Sequence, residues 1–433
     1  MPIPISASEV SRILPRRASV YIQAGVAQPT PLLQALQLDG TCDQTFVTAA
    51  FPGINEFALD GLGPGSRSTV FYAARGFATG LTSGQTAHLP LHHSEIGRYL
   101  TEIACPDVLL IQTCAPDERG ECSLGGGADF VPLLAARAGL VVAEVNSQLP
   151  RVSDGPSIPW SRLTHVCHTD RALPNIQQAS IDGVAAVIAQ RVADLIEDGD
   201  CLQAGIGTLP EAVLSALGDR RRLGVHSGIV SEALARLIDS GAATGECKPA
   251  HHPKAVTAYL GGGNVAYRLA EQGRLAVRTP EFTHAVQVMA EIPRFVSLGA
   301  ALEVDLFGQI NAEQIDGRSI SGTGGFVDFV RGARLSHGGR SVVMLPSTAR
   351  GRSRITVSLP QGTPVTCART DVDIVVTEHG VADLRHLSVV QRARRLIEIA
   401  DPAFRDALAA DWEQGSVKQS AMKTAVCRTA HLL

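Results

Sequence analysis

A chain of 433 residues is too long for one ordinary hydrophobic core, so two domains are expected. Its 45% apolar and 18% charged residues belong to a folded globular protein and exclude a disordered one. A net charge of -4 offers no broad basic footprint for nucleic acid or an anionic membrane, and no apolar run reaches the roughly 18 residues of a membrane helix.

From the start of the chain, "MPIPISASEVSRILPRR" lacks the basic start and apolar core of a secretory signal. "ASVYIQAG" reads as a strand and "TPLLQALQL" as the helix after it. "PDVLLIQTCAPD" and "GLVVAEVNSQLP" read as strands covered on both faces, the mark of parallel sheets in α/β proteins. A proline-marked passage then leads to the helix "IDGVAAVIAQRVADLIEDG", which Gly199 closes. The rhythm restarts with "CLQAGIG", "RLGVHSG", "AVTAYLGGG", "FVSLGAALEVDL", "SVVMLPS" and "DIVVTEHG", placing a domain boundary near residue 183. "RLGVHSG" is expected to end as a strand by His226 and Ser227, and a helix to begin at "VADLRHLS". The nine cysteines form no CxxC pair, so neither a disulfide framework nor a metal site is expected. The reading is a cytoplasmic protein with reduced thiols.

The glycine-rich turns carry the chemistry. "QAGIGTLPEAVLSAL" is a strand, a tight turn and a helix whose free N–H groups suit an anion. It lacks the third glycine of a dinucleotide fingerprint, which argues against a nicotinamide enzyme. In "SGTGGFVDFVRGA", the glycines between Gly322 and Gly325 present backbone amides without side-chain obstruction, as an oxyanion requires. In "VTEHGVADLR", Glu378 ends an apolar strand, where a carboxylate serves no packing purpose or else caps the following helix.

Six stretches together resemble the acetyl-CoA hydrolase/transferase family. They are "AEVNSQLPRVSDGPSIP", "LQAGIGTLPEAVL", "ALEVDLFGQINAEQIDG", "SGTGGFVDFVRGA", "VVMLPSTARG" and "VVTEHGVADLR", and they follow in order between about residues 15 and 412. The family includes 4-hydroxybutyrate, butyrate and succinate CoA-transferases of the class I CoA-transferase fold. The resemblance implies two α/β domains, residues 1–182 and 183–433, each with a mainly parallel, helix-covered sheet and the active site between them. It implies an acyl-CoA and a small carboxylic acid as substrates, no permanently bound cofactor, no metal and a homodimer. Candidate acids are 4-hydroxybutyrate, butyrate, acetate, or a dicarboxylate such as succinate or itaconate.

By the same resemblance, Ile206 and Gly325 supply oxyanion amides and Glu378 orients the acceptor or CoA. Gln203, Gly205, Gly207, Gly322, Gly324 and Arg350 hold the CoA thioester. In one respect the sequence departs from the family: the nucleophilic glutamate aligns with Gly228 in "GVHSGIVSEA". Glu232 and Glu303 read as structural acids, which leaves Glu56, in the turn "FPGINEFALDG", as the candidate substitute carboxylate. Three activities remain open: CoA transfer by a relocated glutamate or a ternary complex, thioester hydrolysis with a water admitted by Gly228, and non-catalytic CoA-thioester binding. His92, His93, Arg98 and His226 are candidates to pair with a second substrate carboxylate.

Overall fold

The computed structural model describes residues 1–40, 43–55, 63, 65–73, 75–175, 180–249 and 254–414. Two large sheets dominate. The first takes β1 (Ile3–Pro4), β2 (Ser19–Ile22), β3 (Thr45–Thr48), β4 (Arg67–Val70), β5 (Thr86–His88), β6 (Val108–Thr113), β7 (Leu140–Asn146) and β8 (His165–Thr169). Its order is β1-β8-β7-β6-β2-β3-β4-β5, parallel throughout. The unbroken "VLLIQT" of β6 is buried along its whole length. Helix-covered parallel strands require this, because neither face meets water.

The second sheet takes β9 (Cys201–Ala204), β10 (Gly224–Val230), β11 (Ala255–Leu260), β12 (Leu275–Val277), β13 (Phe295–Ala300), β14 (Arg340–Met344), β15 (Ile374–Thr377) and β16 (Gly380–Asp383). Its order is β12-β11-β10-β9-β13-β14-β15-β16, parallel except for the last pair. From β9 the chain winds outward one way, and from β13 it winds the other. The order reverses between those two strands, and a ligand crevice forms outside the carboxyl ends of such a pair.

At the opposite, amino end of the sheet, buried Asp200 locks three strands. Its carboxylate accepts from Arg294 Nε at 3.0 Å and from Arg340 at 2.5 Å, just before or at the starts of β9, β13 and β14. Seven free cysteines stand among the described residues, and no described group of three or more His, Cys, Asp or Glu could hold a metal ion. No described helix is long and apolar enough to cross a membrane.

Two local expectations are corrected. The strand containing Gly228 does not stop at Ser227; it runs to Val230, because Ile229 and Val230 continue the pairing with Tyr259 and Leu260 of β11. Gly228 is therefore inside a central strand. The segment after Glu378 is not a helix start but the antiparallel edge strand β16, and the helix begins at Val389, capped by Ser388. Burial there alternates, with Ala382 inside and Val381 and Asp383 outside, as an edge strand demands.

Candidate active site

A cavity of about 590 Å³ opens at the reversal point of the second sheet, a volume in the range of small-molecule sites. One wall is the turn after β9, where Gly207 at φ 121° adopts a conformation only glycine tolerates and leads into the helix Thr208–Ser215. The floor is the end of β13, from Ser297 to Ala300, and another wall is the 320–326 loop. The first sheet closes the cavity with Phe51, Tyr72 and His93, the last in the first turn of the helix His93–Tyr99. The His93 amide donates to the Gly324 carbonyl at 3.0 Å, tying that helix to the glycine loop.

Of the expected site residues, Gln203, Gly205, Ile206, Gly207, Gly322, Gly324 and Gly325 all line this one cavity. Gln203 is fixed from behind by Ser297, whose hydroxyl donates to its Oε1 at 2.8 Å. The Gly205 amide is spent on the Leu298 carbonyl, so the next amide along, that of Ile206, is the one presented by this turn. Two expected residues stand off the wall. Glu378 follows β15 at the same end of the sheet, but its oxygens accept from the Ser347 amide at 2.8 Å and hydroxyl at 2.6 Å. Arg350 is exposed at the turn of the Thr348–Ser353 hairpin, with φ 52°. Glu56 lies outside the described residues.

The acids weighed as structural have structural partners. Glu232 reaches the cavity rim, yet its carboxylate accepts from the Val265 and Ala266 amides that open the next helix. Glu303 accepts from Asn311 and pairs with Arg354 at 3.6 Å.

The space at Gly228 is filled. A Cβ built there would stand 2.8 Å from His284 Nε2 and 3.2 Å from Phe329 Cζ, and real Cβ atoms avoid contacts under about 3.0 Å. A Cβ on Gly325 would likewise meet the His284 ring at 2.5 Å. The imidazole of His284 is thus wedged between two glycine backbones, on the side where a residue at 228 would place its Cβ. The backbone itself is ordinary: Gly228 is not among the glycines with positive φ.

His284 belongs to a polar group that the sequence reading missed, apart from His93. Tyr259 and Tyr21 donate to the two oxygens of buried Asp129 at 2.7 and 2.6 Å. With its proton so placed, the Tyr259 hydroxyl accepts from His93 Nε2 at 3.2 Å, and His93 Nδ1 accepts from the Tyr72 hydroxyl at 2.8 Å. With a neutral His93, donors and acceptors alternate along the chain. Burial pushes its pKa down to about 3. His284 packs on His93 with ring centroids 4.4 Å apart, and burial, then His93 and His226, hold its pKa well below the usual imidazole value. Asp129 was legible in principle as a lone charge in "LGGGADF", and Tyr259 as a hydroxyl at the end of a buried strand.

The comparisons with known proteins agree with this architecture. Residues 5–175 match the acetyl-CoA hydrolase/transferase N-terminal domain and residues 263–412 the C-terminal domain. The chain belongs to the acetyl-CoA hydrolase/transferase family. It is 35% identical over 405 residues to the 4-hydroxybutyrate coenzyme A transferase of Clostridium kluyveri, covering 92% of this chain and 94% of that one. Identity to the butyryl-CoA:acetate CoA-transferase of Anaerostipes caccae is 34% over 354 residues, 78% of each chain. Among solved structures, RipA from Yersinia pestis superposes with a TM-score of 0.89 at 28% identity, covering 96% of this chain and 98% of RipA. The 4-hydroxybutyrate CoA-transferase of Porphyromonas gingivalis gives 0.77 at 30% identity, over 95% and 97%. In this member of the acetyl-CoA hydrolase/transferase family, the cavity is lined by histidine and tyrosine where Gly228 brings no carboxylate.

Proposed function

We propose that this protein is a CoA-transferase that moves CoA between a short acyl-CoA and a small monocarboxylic acid. Relatives named as transferases across most of the chain support the reaction, and the cavity's lining supports the choice of acid. Among the described residues neither lysine nor arginine lines it, both of its histidines are held neutral by burial, and Glu211 and Glu232 are its acidic side chains. A second carboxylate on the substrate would be desolvated there without a cationic partner, which is costly. Of the groups considered for a dicarboxylate, Arg98 is exposed off the cavity and His226 donates Nε2–H to the Thr283 carbonyl at 3.0 Å. Butyrate, 4-hydroxybutyrate and acetate therefore fit better than succinate or itaconate.

In this reading the amides of Ile206 and Gly325 stabilise the oxyanion, and the pantetheine enters past the 203–207 turn. Glu378, held by Ser347, acts as an orienting group at the edge of the sheet, and Arg350 meets CoA phosphate outside it. The first sheet and the second form separate N- and C-terminal domains that meet near residue 183, in a cytoplasmic homodimer.

The carrying observation is the apolar cavity bounded by the two glycine turns, with no lysine or arginine among the described residues that line it. The test is thioester exchange followed by mass, with butyryl-CoA as donor and acetate, 4-hydroxybutyrate or succinate as acceptor. Transfer to the monocarboxylates at least tenfold faster than to succinate is expected. Release of free CoA independent of any acid would replace this reading with hydrolysis.

A further inference from the structure

The glycine loop before Phe326 does more than bound the cavity: it caps a helix of the other half of the molecule. The helix His93–Tyr99 has no cap of its own, since the side chain of its N-cap residue, His92, makes no capping hydrogen bond. Helix-end amides need partners, and here they come from across the interface. The His93 amide donates to the Gly324 carbonyl at 3.0 Å, and the Ser94 amide donates to Asp328 Oδ2 at 3.1 Å. The Ser94 hydroxyl donates to Asp328 Oδ1 at 2.7 Å. Earlier in the same loop the Ala73 amide donates to the Ser321 carbonyl at 3.2 Å, and a Cβ on Gly322 would collide with the Phe71 carbonyl oxygen. The loop thus lies against the first sheet's half from Ser321 to Gly324.

Asp328 is the third residue of the helix Phe326–Leu335, whose N-cap is Gly325. An acid at that position ordinarily turns back and accepts the N–H of its own cap residue, which here is the Gly325 amide. Asp328 does not turn back. Both of its oxygens go to Ser94. The residue is 5% exposed, and burial pushes its pKa up to about 6, so at neutral pH the carboxylate is ionised and accepts both bonds.

Resting on the transferase reading, with the Gly325 amide as an oxyanion donor, we propose that Ser94 is a positioning residue of the active site. By engaging both oxygens of Asp328 it holds that carboxylate off the Gly325 amide, which is left for the thioester's carbonyl oxygen. A carboxylate released from Ser94 acts against the reaction in two ways. It occupies the donor, and it sets a negative charge beside the place where the tetrahedral intermediate develops one. Ser94 comes from the first sheet's half, and Asp328 and Gly325 come from the second's. The donor is therefore open only while the two halves are docked.

Two measurements on the full-length protein test this. The first is CoA transfer from butyryl-CoA to acetate. Ser94→Ala should lower kcat by about tenfold or more while KM for butyryl-CoA stays within about twofold of native. Ser94→Thr keeps the hydroxyl and should restore kcat. The double variant Ser94→Ala, Asp328→Ala should turn over faster than Ser94→Ala alone, because the competing carboxylate is gone. A serine that merely braces the two halves predicts the reverse. The second measurement reads the bond without the reaction. Hydrogen exchange of the Gly325 amide, resolved to the residue by mass spectrometry, should slow by about tenfold in Ser94→Ala and recover in the double variant. Circular dichroism verifies that each variant is folded. Native kcat in folded Ser94→Ala, a folded double variant no faster than the single, or a Gly325 exchange rate that does not fall overturns the proposal. If native protein releases CoA from butyryl-CoA without any acid, the transferase reading fails, while slowed exchange at Gly325 still upholds the role of Ser94.

Discussion

His93 and His284 lie with ring centroids 4.4 Å apart and planes tilted by 48°, two buried imidazoles in contact with no carboxylate of the described residues bonded to either. One is contributed by the first sheet's side of the cavity and the other by the second's, so their contact is part of how the two halves meet.

That contact has a consequence for stability against pH. His93 has its pKa lowered to about 3, and His284 is lowered as well, whereas an unfolded chain titrates near 6.5. Above pH 6.5 both states are neutral and contribute no pH dependence. Below it the unfolded chain takes up protons that the folded one refuses, so stability falls as pH drops from 6.5 toward 3. Each histidine contributes a slope of roughly 1.4 kcal/mol per pH unit in that window. Burial also raises the Asp129 pKa, which acts in the opposite direction at the acid end. His93→Phe should therefore flatten the slope of unfolding free energy between pH 6.5 and 5 by about one proton. An unchanged slope in urea titrations across that range would contradict the neutral assignment.

Asp129 anchors the tyrosines that orient His93. It sits at φ 46°, a left-handed conformation that asparagine accepts better than alanine. Its two oxygens take the Tyr21 and Tyr259 hydroxyls and the Ala24 amide at 2.9 Å. Asp129→Ala strands three buried donors and is expected to cost about 3 kcal/mol or more, with Asp129→Asn costing about half as much. Chemical denaturation of the two variants decides the order. The alanine variant proving the milder one would refute the assigned network.

The framework of this protein is easier to read from its residues than the site is. Runs such as "VLLIQT" and "AVTAYL" can only be covered strands, and glycines between apolar strands and helices mark the turns that bound the cavity. Gly228 was misplaced to a strand end because serine and glycine interrupt the apolar pattern; the pairing with β11 that extends the strand is a tertiary fact. "VADLRHLS" reads as a helix start for a related reason: its first three residues belong to an edge strand with one covered face, and so short a stretch shows too little of a period to separate the two. The polar chain joins residues 72, 93, 129, 259 and 284, each ordinary in its own stretch and meaningful only when the two sheets meet.

Asp200 offers a control at the far end of the second sheet. Its carboxylate is fully buried and neutralised by Arg294 and Arg340. Asp200→Ala leaves those guanidinium groups without their shared partner and should cost about 3–5 kcal/mol. Because it lies at the amino ends of strands whose carboxyl ends form the cavity, the folded fraction should keep a native KM for butyryl-CoA. A changed KM in the folded variant would mean that the sheet transmits strain to the site.

The final prediction concerns Gly228. Its φ is not left-handed, so a glutamate there meets no backbone objection. The objection is steric: the Cβ would press on His284 Nε2 at 2.8 Å and Phe329 at 3.2 Å. Gly228→Glu alone should lose about 1–3 kcal/mol through overpacking, displace the His284 ring and form no trappable thioester at 228. His284→Ala vacates that volume. The double variant Gly228→Glu, His284→Ala should be more stable than the sum of its single changes by about 1 kcal/mol, since the two side chains compete for one space. It should also carry a glutamyl-CoA thioester at 228, detectable by borohydride reduction and peptide mass, and exchange acids with acyl-CoA while exchanging no free CoA. Additive stabilities, or a single Gly228→Glu variant that forms the thioester with His284 in place, would show that the two groups do not contend for the same position.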